Sequence, residues 1–178
     1  MKLNKSSLPK ESMFFSQREF KFIDAFSTTF ADENCEIDIQ KIGKLFFSTG
    51  PKWIDSLFAL RNKIVKFFGL KVSNSISERG IQLKNFKCQE NDQIGLFKVF
   101  LSNENEVVLG ENDKHLDFRV SLFLKNIEGK NNKELTISTL VRFNNLFGKL
   151  YFIPVKPFHS FIVPSMLKSI VQNLQKEV

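Results

Sequence analysis

Apolar and polar residues alternate most regularly between His115 and Leu124. Leu116, Phe118, Val120, Leu122 and Leu124 share one parity, and His115, Asp117, Arg119 and Ser121 share the other. Period two over this length predicts a strand with one buried face. Similar runs flank it at residues 94–101, 106–110 and 134–143, separated by the polar turns Ser102-Asn103-Glu104-Asn105, Glu111-Asn112-Asp113-Lys114 and Glu128-Gly129-Lys130-Asn131-Asn132. Short polar turns between successive strands predict an antiparallel meander, because parallel neighbours need long crossovers. An earlier element is expected over residues 18–27, where Phe20, Phe22 and Phe26 share a parity with Asp24; a carboxylate on an apolar face requires a partner.

Elsewhere the period becomes helical. Ile39, Ile42, Leu45 and Phe46 fit a short helix, and Ser48-Thr49-Gly50 a turn. Pro51 then opens a helix over 51–68 with a wide apolar stripe, closed by Gly69. Val163, Met166, Leu167, Ile170, Val171 and Leu174 recur at three- and four-residue spacing, so a helix is predicted from Pro164 onward. Pro154 and Pro157 are expected to kink or divide any helix before it. The reading is an α+β chain with a flexible leader at residues 1–12 and one domain at 13–178, without internal repeats.

Composition alters this picture in one respect. The chain of 178 residues holds 21 Phe against one Trp and one Tyr. Rings without a polar handle suit either a solid core or the lining of an apolar chamber. Twenty-six Lys and Arg against 19 Asp and Glu give a charge of +7, but the cations are scattered and form no groove interleaved with aromatics, which disfavours nucleic acid. Cys35 and Cys88 are far apart and, with two histidines, make no zinc pattern; free thiols in a reducing cytoplasm are expected. No segment reaches the roughly 18 apolar residues of a spanning helix. Phosphate-cradling glycine motifs and the serine elbow are missing, so neither cofactor nor metal is implied.

The residues that carry candidate chemistry are few. His115, beside Asp117 and Arg119, offers an oriented imidazole and a bidentate anion contact if that face points inward, and an ordinary solvated row if it points outward. His159 follows Pro157-Phe158 and either serves a chamber or satisfies a nearby carbonyl. Arg142 suits an exposed edge or a buried ion pair.

Four segments resemble the DUF2867 family, which is related in fold to the START-like, polyketide cyclase/dehydrase-like helix-grip superfamily: FIDAF (22–26), PKWIDSLFALRNKIVKFFGLK (51–71), VVLGENDKHLDFRVSL (107–122) and GKLYFIPVKPFHSFIVPSML (148–167). The resemblance implies a curved antiparallel sheet wrapped around a long C-terminal helix, with an apolar cavity between them. Members of the wider fold hold lipids, sterols or polyketides, and some catalyse cyclisation or dehydration. The narrower family supplies no established catalytic residues. Its domain also resembles the C-terminal part of proteins whose N-terminal half is an epimerase-like Rossmann domain; no such half is present in this sequence, which leaves a small binding module or an accessory subunit, with a Rossmann partner in trans as an open question.

The expected function is therefore non-catalytic binding of a hydrophobic or amphipathic small molecule, with Asp24, Phe118, Arg119, Arg142, His159 and Met166 as candidate ligand-binding residues. Two alternatives stand beside it. One is a cyclase or dehydratase using His115 or His159, with Asp117 as a further catalytic candidate. The other is a peripheral protein-interaction module presenting Lys52, Lys63 and Lys66.

Overall fold

Among the described residues seven strands form one curved, open antiparallel sheet around a long C-terminal helix. The computed structural model describes residues 2–51, 53, 54, 56, 76–129 and 131–176. In chain order the elements are β1 (Leu3–Ser6), β2 (Phe22–Ala31), α1 (Ile39–Ser48), α2 (Ile76–Asn85), β3 (Gln93–Ile94), β4 (Phe97–Ser102), β5 (Glu106–Asn112), β6 (Leu116–Ile127), β7 (Asn132–Phe143) and α3 (Leu146–Leu174). The strand order is β1-β2-β7-β6-β5-β4-β3. The meander expected from the turns runs from β3 to β7, and β2 closes onto β7 over ten register pairs.

Pairing of Phe22 with Val141 and of Val141 with Phe118 puts these three side chains in one row of one face. This inner face carries Val120, Leu122, Leu124, Leu135 and Ile137, packed against Val163, Leu167, Ile170 and Val171 of α3. The apolar parity of β6 thus faces the helix. Its polar parity faces away from the helix and is buried all the same. Leu8, Phe14 and Phe20 of the N-terminal segment form a second apolar cluster with Val108 and Leu140, covering that outer face. Glu106, Asp117, Arg119 and Ser121 are all buried there. Neither an inward-facing site nor a solvated row describes these residues.

Three further expectations are corrected. Residues 3–6, read as part of a leader, pair with β2 as an edge strand, and Leu8 and Ser12 are buried. The early strand begins at Phe22 rather than residue 18, because Phe20 belongs to the outer cluster. The run 94–101 is two strands, since Gly95 takes φ 58° and turns β3 into β4.

The largest correction is at α3. This helix starts at Leu146 and contains Pro154, Pro157 and Pro164, so it neither waits for Pro164 nor is divided. Asn145 caps it, its side-chain oxygen accepting from the Gly148 N–H at 3.0 Å. The N–H groups lost at Pro154 and Pro157 would have bonded the carbonyls of Leu150 and Ile153, on the exposed side of the helix, while Phe152 and Val163 pack underneath. Tertiary packing on one side sustains what local propensity opposes.

At the other end of the sheet α1 is capped by Asp38, whose carboxylate accepts from Lys41 N–H at 2.7 Å. Ser169 of α3 donates to the Thr49 carbonyl, tying the end of α1 to the helix. The helix read over 51–68, with Lys52, Lys63 and Lys66, lies outside the described residues except for Pro51, Trp53, Ile54 and Ser56; α2 was not anticipated.

Candidate functional site: the aromatic seam under the C-terminal helix

The sequence-derived candidates separate into two groups on opposite faces of the sheet. On the outer face Asp117 is saturated. Its Oδ1 accepts from Asp113 N–H at 3.1 Å and Asn144 Nδ2 at 3.0 Å, and its Oδ2 from Arg142 Nε at 3.0 Å and from Arg142 Nη2. Arg142 also pairs with Glu19 at 2.8 Å, and these bonds, Asp117 foremost, hold its guanidinium further above its already high pKa. Arg119 donates from Nη1 to the carbonyls of Glu111 and Phe118 and from Nη2 to Asn112, while its buried Nε has no partner among the described residues, and its guanidinium lies 3.6 Å from the centroid of Phe100. Gly110, opposite it in the register, leaves room for this, since a Cβ there would strike the Phe118 carbonyl. These groups fasten strands together; none presents a free carboxylate or an open anion fork.

His115 belongs to the same structural set. Its Nδ1 lies 2.9 Å from the Asn145 amide nitrogen, and its ring is 4.7 Å from Phe147. Because Asn145 is also the cap of α3, His115 anchors the β5–β6 turn to the start of the helix. His159 lies twelve residues beyond Phe147 on α3, about 18 Å along the axis. The two histidines do not share a site.

The inner group converges. His159 packs beside Phe22 and Phe152, with ring centroids 6.4 and 5.9 Å away, and Phe152 also meets Phe22 at 4.8 Å and Phe143 at 5.5 Å. Phe118, in the row of Phe22 and two strands away, is about 10 Å distant. It continues the aromatic wall through Phe97 at 5.5 Å to Phe47 of α1 at 5.5 Å. Phe22, Phe118, Phe97 and Phe47 are only half-buried, whereas Leu122 and Ile137 deeper on the same face are fully buried. Met166 sits in the buried part, against Gly50, and belongs to the core rather than the seam wall.

Asp24 and His159 stand among the rings, and Lys156 Nζ lies 5.8 Å from the centroid of Phe22. Asp24, half-buried on β2 beside Thr139 in the register, is the odd carboxylate of the apolar parity, and its charge acts on His159. Burial holds the His159 imidazole below its ordinary pKa, and Asp24 only partly opposes this. The ring is therefore neutral near pH 7, with one donor and one acceptor nitrogen. Its Nδ1 is enclosed and has no hydrogen-bond partner among the described residues. The sequence signal for this pair was present in each half, a histidine among apolar residues and a carboxylate on an apolar face; what the sequence could not place was their meeting. Among the described residues no three His, Cys, Asp or Glu side chains are placed to hold a metal ion.

An open antiparallel sheet gripping a C-terminal helix, with an aromatic seam between them, is the helix-grip arrangement and is consistent with the START-like superfamily. The chain belongs to the DUF2867 family, described as proteins of unknown function, whose model matches residues 16–166. No curated protein and no solved structure gives a match. Among the described residues no helix is long and apolar enough to cross a membrane.

Proposed function

We propose that the chain binds a hydrophobic or amphipathic small molecule non-covalently in the seam bounded by Phe22, Phe118, Phe152 and His159. The observation that carries this reading is the enclosed, unpartnered Nδ1 of His159 within an aromatic wall. An unpaired buried nitrogen is destabilising by about 1–3 kcal/mol, and a ligand polar group that meets it recovers that loss. The half-buried rings supply apolar contact area, and the imidazole sets the orientation. Binding is favoured over cyclase or dehydratase chemistry because the ionisable groups of the seam, Asp24, His159 and Lys156, form no hydrogen-bonded acid–base pair among the described residues, while His115 and Asp117 are committed to strand and helix anchoring.

Native mass spectrometry of freshly purified protein tests the reading. A retained adduct of lipid-like mass is expected, and His159→Phe should lose adducts bearing a polar head while keeping the fold. Wild-type protein that neither retains such a molecule nor takes one up from a lipid extract would remove the support for the proposal.

A further inference from the structure

The first half of α3 is apolar on two opposite faces. Phe152, His159 and Val163 lie toward the sheet, while Leu146, Leu150, Ile153 and Phe161 are 70, 57, 66 and 67 % exposed. With exposed Pro157 these four recur at three- and four-residue spacing, which aligns them along the helix for about 22 Å. A helix apolar all round is ordinarily buried all round. Among the described residues nothing covers this stripe.

Charge identifies what fits it. Between Leu135 and Lys176 the sequence contains no Asp or Glu, and Lys149 and Lys156, seven residues apart and both exposed, flank the stripe on one side, Lys156 with its Nζ 5.8 Å from the centroid of Phe22 toward the sheet. We infer that this stripe is a docking surface for an anionic lipid bilayer, with α3 lying along the interface, Leu150, Ile153 and Phe161 entering the acyl boundary and Lys149 reaching the headgroups. Apolar side chains on one face with lysines beside them is the composition by which interfacial helices hold anionic membranes. A second copy of the chain fits less well: two-fold pairing of this stripe would set lysines against lysines with no carboxylate on α3 to compensate. The inference rests on the outward face of α3 and is independent of the His159 seam on its inward face.

Flotation of the full chain with phosphatidylcholine vesicles, with and without phosphatidylserine, tests it. The wild type is expected to float with phosphatidylserine vesicles and to be released by salt. Lys149→Gln should lower the partition coefficient about five-fold, the equivalent of about 1 kcal/mol for one lysine near the surface. The double variant Ile153→Ser/Phe161→Ser should lower it at least about ten-fold while keeping the wild-type circular dichroism, since both side chains are exposed. His159→Phe should float like the wild type, which separates failure here from failure of the ligand proposal. Wild-type protein that stays at the bottom of both gradients overturns the inference, as does flotation unaffected by Ile153→Ser/Phe161→Ser. A sedimenting dimer that the double variant dissociates, without flotation, assigns the stripe to a second copy instead.

Discussion

Ser12 donates its hydroxyl to Glu106 Oε1 at 2.7 Å, joining the N-terminal segment to β5 across 94 positions of sequence. The Met13 N–H reaches the other oxygen at 2.7 Å, and Ser121 donates to Oε1 from β6. Glu106 is fully buried, and residues 12 and 13, folded back over the outer face, supply two of the three donors that satisfy its carboxylate. Ser12→Ala removes one donor and leaves the acceptor short, and is expected to lower stability by about 1–3 kcal/mol in urea unfolding. A loss below about 0.5 kcal/mol would show that the segment does not fasten the sheet.

That contact also marks where the sequence was hard to read. The period-two pattern of β6 and the polar turns around it placed the meander and assigned its apolar parity to the helix side, because both are local signals. The strand Leu3–Ser6 carries no such pattern: LNKS is short and polar, and its structure comes from pairing with β2 rather than from its own periodicity. The N-terminal half of α3 was hidden by Pro154 and Pro157, whose local effect is outweighed by packing of Phe152 and Val163. Asp24 and His159 were each visible as misfits in apolar surroundings, yet only the fold brings a carboxylate on β2 to bear on an imidazole on α3.

The two cysteines should behave differently. Both are free; Cys35 is exposed, and Cys88 is buried beside Gly43. Burial first, then the charge of Asp92, pushes the Cys88 thiol up to about 12, so almost none is thiolate at pH 8. A thiol reagent is expected to label one cysteine rapidly in the native protein and both after denaturation without reductant. Rapid labelling of both in native protein would contradict the burial of Cys88.

His159 gives stability a defined pH dependence. Burial lowers its folded-state pKa below the ordinary 6.5, so on acidification the unfolded chain takes up the proton first. The contribution of the neutral ring is fully present above pH 6.5 and is lost progressively as the pH falls toward and through the depressed folded value. His159→Gln should therefore flatten the fall in unfolding free energy between about pH 7 and 5. Equal slopes for variant and wild type over that interval would show that the imidazole titrates as freely in the folded chain as in the unfolded one.

Phe118 and Leu122 share the inner face of β6 but differ in exposure, and that difference separates ligand wall from core. Leu122 is fully buried, whereas Phe118 is half-buried at the seam, 5.5 Å from Phe97. Leu122→Ala creates a cavity in packed surroundings and is expected to lower stability by about 2–5 kcal/mol. Phe118→Ala removes a ring that is already partly in contact with solvent, so its effect should fall below the roughly 3–5 kcal/mol of a fully packed phenylalanine. Binding of a hydrophobic fluorescent probe should respond in the opposite order. Loss of the Phe118 ring strips the seam of apolar contact and should weaken the probe by about ten-fold, near 1.4 kcal/mol. Leu122→Ala, measured well below its own unfolding midpoint, should leave probe affinity within about two-fold. Met166 belongs with Leu122 in this comparison: Met166→Leu conserves volume in the core and should change both readouts little, whereas Met166→Asp buries a charge and should unfold the chain before it reports on binding. If Phe118→Ala and Leu122→Ala shift probe affinity equally after correction for the folded fraction, the half-buried rings are not a binding wall and the seam is simply the thin edge of the core.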